Sequence, residues 1–308
     1  MIAKPVADEP LEAAACGACG SAEPGEPAFT TEGFAIVRCP ACRVLRVSPR
    51  LTVGALQAYY GPAYWKSADS VQRGYFDYAG DEANIRRTFR RRWRWLGRVL
   101  PAKGNLLDMG CASGFLLDTA RTAGWKDVWG VEWSEHARQS APPEVRGRIA
   151  ARLEDLRLPP GSLDCVTAWD YLEHSLNPRA ELEQWARLLN PGGWLSLIIP
   201  DAGSWLARFL GPAWEEFKKP REHLHYFTGR QLRRLLADLG LQVKAGRYEG
   251  KYASLQFAFS RFKPGDGVLY GASRLAAALA RWLGQEASVV YVNPYDKLHL
   301  LARKERNA

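Results

Sequence analysis

The chain has 308 residues, of which 47% are apolar and 24% charged, a composition that excludes intrinsic disorder as the default and leaves room for one large domain plus a smaller one. The N-terminus MIAKPVADEPLEAAACGACG lacks a basic start followed by an apolar core, and no run reaches the roughly 18 apolar residues of a membrane span, so a cytoplasmic protein is expected. The formal net charge of +9 raises nucleic acid or an anionic surface as partners, but charge alone identifies neither.

The first recognisable pattern is Cys16, Cys19, Cys39 and Cys42, spaced as C-x2-C-x19-C-x2-C. Two short knuckles each offering a pair of thiolates can meet tetrahedrally around zinc, and four protein ligands leave no open position for water, so the site reads as structural. Between the pairs, GFAIVRC alternates like a short strand. A module this small cannot support a large core, so metal binding is expected to supply its folding energy. We assign residues 1–50 to this zinc-ribbon module. The aromatic, proline-punctuated stretch that follows makes residues 51–80 a connector, and residues 81–308 form the large domain.

The arginine excess concentrates in IRRTFRRRWRWLGRVL, residues 85–100. Ile85, Phe89, Trp93, Leu96 and Leu100 recur at helical spacing and form one apolar face, with Arg86, Arg87, Arg90, Arg91, Arg94 and Arg98 mostly elsewhere. A solvated face of a packed helix is the plain expectation, and an RNA-binding stripe the alternative.

From residue 105 strand-like and helical runs alternate: NLLDM, FLLDTARTAG, DVWGVE, SEHARQSA, LDCVTAW, RAELEQWARLLN and GWLSLIIP. Such alternation implies right-handed crossovers and a parallel sheet covered on both faces, with ligands beyond the carboxyl ends of the strands. Gly110 to Gly114 is the turn between the first strand and its helix. Glycine there lets a ligand approach the backbone, and the helix start offers exposed amides. Asp108 beside the turn would repel a pyrophosphate and hold a ligand with ammonium or hydroxyl groups. Phe115 stands where the third glycine of a dinucleotide fingerprint would be required. Glu132 ends the next strand, where an acid in this kind of fold grips ribose hydroxyls. Cys111 and Cys165 read as core residues.

Taken in order, DMGCASG, GVEWSE, SLDCVTAWDYLEH and LLNPGGWLSLIIP resemble the class I S-adenosylmethionine-dependent methyltransferases over about residues 100–250. Within that family they are most similar to the branch containing the ubiquinone-biosynthesis O-methyltransferases, and the ribbon resembles that of small-molecule methyltransferases with N-terminal zinc modules. The resemblance implies an α/β, Rossmann-like sheet of seven strands with helices on both faces, and S-adenosylmethionine as cofactor. It further implies that Asp108 orients the methionine end, that Gly110, Ala112 and Gly114 pass beneath the cofactor, and that Glu132 binds the ribose. By the same implication Trp133 stacks near the adenine, Leu153 and Glu154 edge it, and Trp169 and Asp170 line the methionine side. Ala112 replaces a common third glycine, and Arg152 stands where an acidic adenine contact often lies.

Only five histidines are present. His174 follows the fourth strand of the large domain, and His223 and His225 follow the fifth, so all three are candidate bases for a hydroxyl acceptor, the alternative being loop-tying hydrogen bonds. In an extended segment His223 and His225 would point the same way. His136 and His299 read as surface or packing residues. Asp170, Glu173 and His174 share the spacing of an acidic-x-x-Glu-His run associated with a divalent metal in the ubiquinone-type relatives, and a lower-ranked expectation places such a metal there. Residues 200–228 are long for a connection and read as a lid with an apolar underside of Trp205, Phe209, Trp214 and Phe217. GRQLRRLLADLG, LQVKAGRYEG and YDKLHLLARK follow as helix, strand and last strand. Before the last of these, SRLAAALARWLG reads as a small amphipathic helix roofing the acceptor pocket or forming a homodimer surface. The expected function is methyl transfer to a hydroxyl of a small molecule such as a saccharide, lipid-linked glycan or secondary metabolite. The rivals are an RNA methyltransferase and a scaffold that has lost catalysis.

Overall fold

The structure is a computed structural model that describes residues 9–65, 78, 80–100, 103–255, 259, 268–285 and 288–305. Part of the expected connector, residues 66–77 and 79, lies outside the described residues.

The chain begins with β1 (Leu11–Glu12), β2 (Glu26–Thr31), β3 (Phe34–Arg38), β4 (Leu45–Val47) and β5 (Arg50–Leu51), followed by helices α1 (Val53–Tyr59), α2 (Pro62–Trp65) and α3 (Glu82–Leu96). The large domain then alternates. Strand β6 (Asn105–Met109) leads to α4 (Phe115–Thr122), β7 (Asp127–Val131) to α5 (Glu135–Gln139) and α6 (Pro143–Arg146), and β8 (Ile149–Ala150) to β9 (Leu163–Trp169). Helix α7 (Pro178–Leu188), β10 (Leu189–Pro200), α8 (Trp205–Leu210), β11 (His225–Tyr226), α9 (Gly229–Asp238) and β12 (Leu241–Tyr248) come next. A hairpin-like pair, β13 (Lys251–Ser254) and β14 (Val289–Val292), flanks α10 (Val268–Trp282), and β15 (Lys297–Lys304) ends the fold.

Seven strands form the central sheet in the order β12-β15-β10-β9-β6-β7-β8. Strands β10, β9, β6, β7 and β8 are parallel, as the alternation of strand and helix predicts. The last strand departs from that pattern. β15 inserts antiparallel between β10 and β12, pairing Leu197 with Leu300 on one side and Gly246 with Leu300 on the other. Strand β15 alternates the buried Leu298 and Leu300 with the buried His299 and Leu301, so both faces are covered. One core holds Leu107, Val166, Leu197, Leu232 and Trp185 on the face covered by α7 and α9. The other holds Leu106, Cys165, Ile198 and Leu301 with Trp93 of α3 and Leu117 of α4.

The arginine-rich helix α3 packs its predicted apolar face: Trp93, Leu96 and the following Leu100 are buried, with Phe89 partly so. Several of its arginines are used within the molecule. Arg86 pairs with Glu82 and Asp118, Arg87 and Arg91 lie 4.1 and 4.2 Å over the Tyr252 and Tyr291 rings, and Arg92 is buried 5.2 Å from Trp169. Arg87, Arg90, Arg94 and, just beyond the helix, Arg98 are exposed. On α10, Leu275, Leu279 and Trp282 are exposed.

The N-terminal module is not a separate bead. Its sheet has the order β11-β4-β3-β2, so the segment after β10 supplies its outermost strand, with His225 opposite Arg46 and Tyr226 opposite Leu45. Cys16, Ala18, Cys39 and Val44 join the same core as Leu172, Trp185 and Phe227 of the large domain. Backbone and side chain seal the joint: Arg179 N donates to Gly17 O at 3.1 Å, and Arg50 to Leu176 O at 3.0 Å.

The segment 200–228 buries two of the four residues expected to form its apolar underside. Trp214 and Phe217 are buried among Phe34, Val47 and Tyr226, beneath the ribbon sheet. Trp205 and Phe209 are 76% and 72% exposed and stack on each other at 5.3 Å. With α8 only six residues long, Ala207 faces in, and positions 205 and 209 fall on the outer side.

Candidate functional site

At the carboxyl edge of the sheet, β6 ends in Asp108–Met109 and β7 in Val131, followed by Glu132. The turn to α4 passes through Gly110, Ala112 and Gly114, all with left-handed backbone (φ 69°, 49° and 68°). Only glycine enters that region without strain, so Ala112, where a third glycine is common, carries a small conformational cost. At Gly110 the close approach comes from the protein itself: an added Cβ would lie 2.3 Å from Tyr171 Cδ2. The ring of Tyr171, rather than open ligand space, therefore demands glycine at this position.

The two acids are buried. Asp108 accepts from Thr167 Oγ1 at 2.6 Å, and among the described residues this is its only hydrogen-bond partner, so its second oxygen is available. Burial pushes its carboxyl up to about 8, Thr167 pulls it down, and the nearby Glu132 charge adds to the rise. Glu132 Oε2 accepts from Ala112 N at 3.1 Å and Oε1 from Ser134 N at 2.9 Å. Each oxygen keeps a second lone pair for a hydroxyl donor. Burial raises this group as well, while the Ser134 and Ala112 amides oppose the rise. A buried, under-paired acid beside a second one is a costly arrangement without a cationic or hydroxyl-rich ligand.

Trp133, next to Glu132 in the chain, is 41% exposed and packs edge-to-face with Tyr60 at 5.3 Å. Leu153 is half-buried and Glu154 exposed, on the single turn after β8. Trp169 does not line this site. Its ring lies in the α3 side of the core, 5.4 Å from Trp93, with Nε1 donating to Ser196 Oγ at 2.9 Å. Strand alternation explains the difference: Trp169 sits on the face opposite Ala168 and is drawn to the aromatic cluster there.

Asp170 follows with φ 56°, and its carboxylate accepts from Lys297 Nζ at 2.5 Å. Although burial opposes it, Lys297 and Arg92 hold Asp170 below its ordinary range. Glu216 Oε1 lies 4.0 Å from the same ammonium, and Lys219 bonds Glu216 Oε2 at 2.8 Å. Asp170 thus has an internal cation, and the expected Asp170, Glu173, His174 metal set does not form.

A different set does form. One ligand atom each from Glu173, His174 and His223 lies within 4.8 Å of the others. Glu173 is 2% exposed, and neither of its oxygens has a hydrogen-bond partner; His223 Nδ1 is also buried without a hydrogen bond, 3.6 Å from Glu216 Oε2. His174 Nδ1 faces Tyr60 OH at 3.0 Å and Glu222 O at 2.9 Å, while its Nε2 lies 3.9 Å from Glu173 Oε1. Burial pushes the Glu173 carboxyl well up and, with mutual repulsion, His223 well down. An orphaned carboxylate against two neutral imidazoles fits a divalent cation, and two nitrogen ligands suit zinc-like ions better than magnesium.

His225 is elsewhere. Its ring lies under the ribbon knuckle, where a Cβ on Gly17 would be 3.0 Å from its Nε2, and burial together with Arg50 holds it down at about 3. His223 packs against the His174 ring at 4.7 Å while His225 stacks on Phe227 at 6.0 Å, so the two do not share an environment. His136 is exposed, and His299 is buried between Ser196 and Glu249. Sequence reading missed Lys297, Tyr60 and Glu216, none of which sits in a spaced motif.

In the N-terminal module the four thiols converge, with Cys16–Cys42 and Cys19–Cys39 sulfur distances of 3.6 Å, and all four are free. Four sulfurs within 4.8 Å of one another fit the tetrahedron around a zinc ion, whose Zn–S bonds of about 2.3 Å set sulfurs about 3.8 Å apart.

A family model described as a methyltransferase domain matches residues 81–245. The chain belongs to the methyltransferase-domain family. The methyltransferase is 30% identical over 128 residues to a ubiquinone biosynthesis O-methyltransferase of Paracidovorax citrulli, covering 38% of this chain and 53% of that one. A protein of the same description from Thiobacillus denitrificans is 28% identical over 166 residues, covering 50% and 71% respectively. The match thus spans about half the length of the first relative. Among solved structures, the 1,6-didemethyltoxoflavin-N1-methyltransferase of Burkholderia thailandensis is 16% identical with a TM-score of 0.50, covering 91% of this chain and 99% of that one. A Haloferax volcanii methyltransferase in complex with the Trm112 activator is 19% identical with a TM-score of 0.51, covering 74% and 93%. At these identities the structural likeness concerns the fold alone. Among the described residues no helix is long and apolar enough to cross a membrane.

Proposed function

We propose that this methyltransferase transfers a methyl group from S-adenosylmethionine to a hydroxyl of a small-molecule acceptor. The observation that carries the reading is the pair of buried acids at the tips of adjacent strands, Asp108 with a spare oxygen and Glu132 with two spare lone pairs. The cofactor supplies an electrophilic methyl on a sulfonium. The chain's part is to hold and to desolvate: Asp108 takes the cationic methionine end, Glu132 the ribose hydroxyls, and Trp133 the adenine face, with Gly110, Ala112, Gly114, Leu153 and Glu154 shaping the walls. Positioning of this kind accounts for roughly 7–11 kcal/mol of barrier lowering in favourable cases.

The acceptor hydroxyl lies, on this reading, beside Glu173, His174 and His223, which face the same edge. Those three residues would hold a divalent cation, whose chemistry when bound is to favour the deprotonated hydroxyl. Without one, His174 or His223, both kept neutral by burial, would accept the proton. His225, Trp169 and Asp170 act at a distance, by packing the ribbon joint, filling the α3 core and binding Lys297. The four cysteines hold structural zinc. Of the six arginines expected in an RNA-binding stripe, Arg86 is tied to Glu82 and Asp118, and Arg87 and Arg91 lie over tyrosine rings, which weakens the nucleic-acid alternative.

Isotopically labelled methyl donor, offered with metabolite extracts, tests the reading. It predicts label in an ether linkage on a small molecule, and label found only on RNA would overturn it.

A further inference from the structure

Beyond the strand tips, the carboxyl edge carries a second concavity. A cavity of about 680 Å³ opens between α8, the start of α9 and the end of β12. Three of its lining residues, Arg208, Arg230 and Arg233, are exposed arginines, and among the described residues none of the three has a carboxylate within ion-pair distance. Arg247 also contributes to the wall, but its guanidinium is occupied by Glu249 and by the Trp95 ring at 4.2 Å.

Among the described residues the only acid in the wall is Asp201, and its oxygens are already engaged. Oδ1 accepts from Gly203 N at 2.8 Å and Gly229 N at 3.0 Å, and Oδ2 from Tyr248 OH at 3.0 Å. Asp201 therefore fixes the cavity's shape while three guanidinium groups set its charge. Unpaired arginines facing one concavity are the donor set that planar, multiply charged oxyanions select.

The cavity is connected to the transfer site through one chain of contacts, in which Lys297 lies 4.0 Å from Glu216 and Glu216 3.6 Å from His223. Leu298 lines the cavity, and the preceding residue, Lys297, bonds Asp170 at the tip of β9. Arg208 shares α8 with the exposed Trp205–Phe209 stack, an aromatic surface next to the basic one.

We propose that this cleft binds a phosphoryl group carried by the methyl acceptor. The inference rests on the acceptor reading above and narrows it: the acceptor is a phosphorylated molecule, not a neutral one. The phosphoryl group could belong to a free metabolite or to a lipid headgroup, and the chemistry in the cleft is the same.

The test uses the full chain and two probes. Inorganic pyrophosphate, titrated calorimetrically at low salt, should bind saturably with one molecule per chain. In Arg208→Gln/Arg233→Gln that affinity should fall at least about tenfold, while affinity for S-adenosylmethionine stays unchanged, because neither exposed arginine touches Asp108 or Glu132. Vesicles of phosphatidylglycerol against phosphatidylcholine separate the sources. Arginine-dependent retention on the anionic vesicles assigns a lipid headgroup, and its absence, with pyrophosphate still bound, assigns a free phosphorylated acceptor. No saturable binding, or binding indifferent to the double substitution, overturns the proposal. Pyrophosphate binding in a chain that takes up no S-adenosylmethionine would overturn the acceptor assignment and place the fault in the functional reading.

Discussion

At the scale of single residues, Asp108 carries the clearest physical signature. Its folded-state carboxyl lies at about 8 against an ordinary 3.8, with burial the main cause. Between those values the folded chain holds a proton that the unfolded chain has lost, so this group makes the ligand-free protein less stable as pH rises from about 4 to about 8. Asp108→Asn removes the penalty. Its melting temperature should exceed that of the unaltered chain at pH 8 and approach it at pH 5, a difference worth roughly 1–2 kcal/mol after allowance for relaxation. Equal melting curves at both pH values would mean that the carboxyl is not confined as described. Glu173 is the second case. With both oxygens unpartnered beside two imidazoles, it should retain a stoichiometric divalent ion in purified protein beyond the zinc of the cysteine cluster. Metal analysis of Glu173→Gln should show loss of that ion alone, and identical metal content in both proteins would remove the site. The sequence showed Glu173 and His174 as neighbours but offered His223 only as a base. A residue 49 positions downstream of His174 joins the cluster through the fold, which no local spacing records.

At the scale of elements, the ribbon and the segment after β10 are one structure. β11 completes the ribbon sheet, and His223 stands two residues before it. Leu224 adds a bond from each side: its carbonyl accepts from Val47 N at 3.0 Å, and its amide donates to Glu173 O at 2.8 Å. The four-cysteine module therefore braces the backbone that carries Glu173 and His223. Cys39→Ser should release zinc, lower the melting temperature, and reduce turnover far more than it reduces S-adenosylmethionine affinity. Full turnover in a zinc-free variant would show the ribbon to be a passive appendage. The cysteine knuckles were legible because metal ligation imposes fixed intervals on the chain. The bracing was not, because two-residue strands such as β11 leave no periodic pattern, and their pairing spans some 180 residues of sequence.

At the scale of the whole molecule, alternating strands and helices announced a parallel sheet, and the two glycines at 110 and 114 announced the left-handed turn that leads from β6 into α4. The antiparallel insertion of β15 was not announced by alternation, since a buried strand reads as apolar whichever way it runs. Nor was the fate of Trp205 and Phe209, whose exposure follows from how a short helix seats Ala207. What the sheet as a whole achieves is the juxtaposition of two buried acids at neighbouring strand tips, and the account stands on what they hold. Calorimetry of the full chain with S-adenosylmethionine at neutral pH tests this most directly. It should show one binding site, weakened more than about tenfold by Glu132→Gln and at least as much by Asp108→Asn, as expected when a hydrogen bond to a charged group is lost. Binding unchanged in both variants, or none in the unaltered chain, would contradict it.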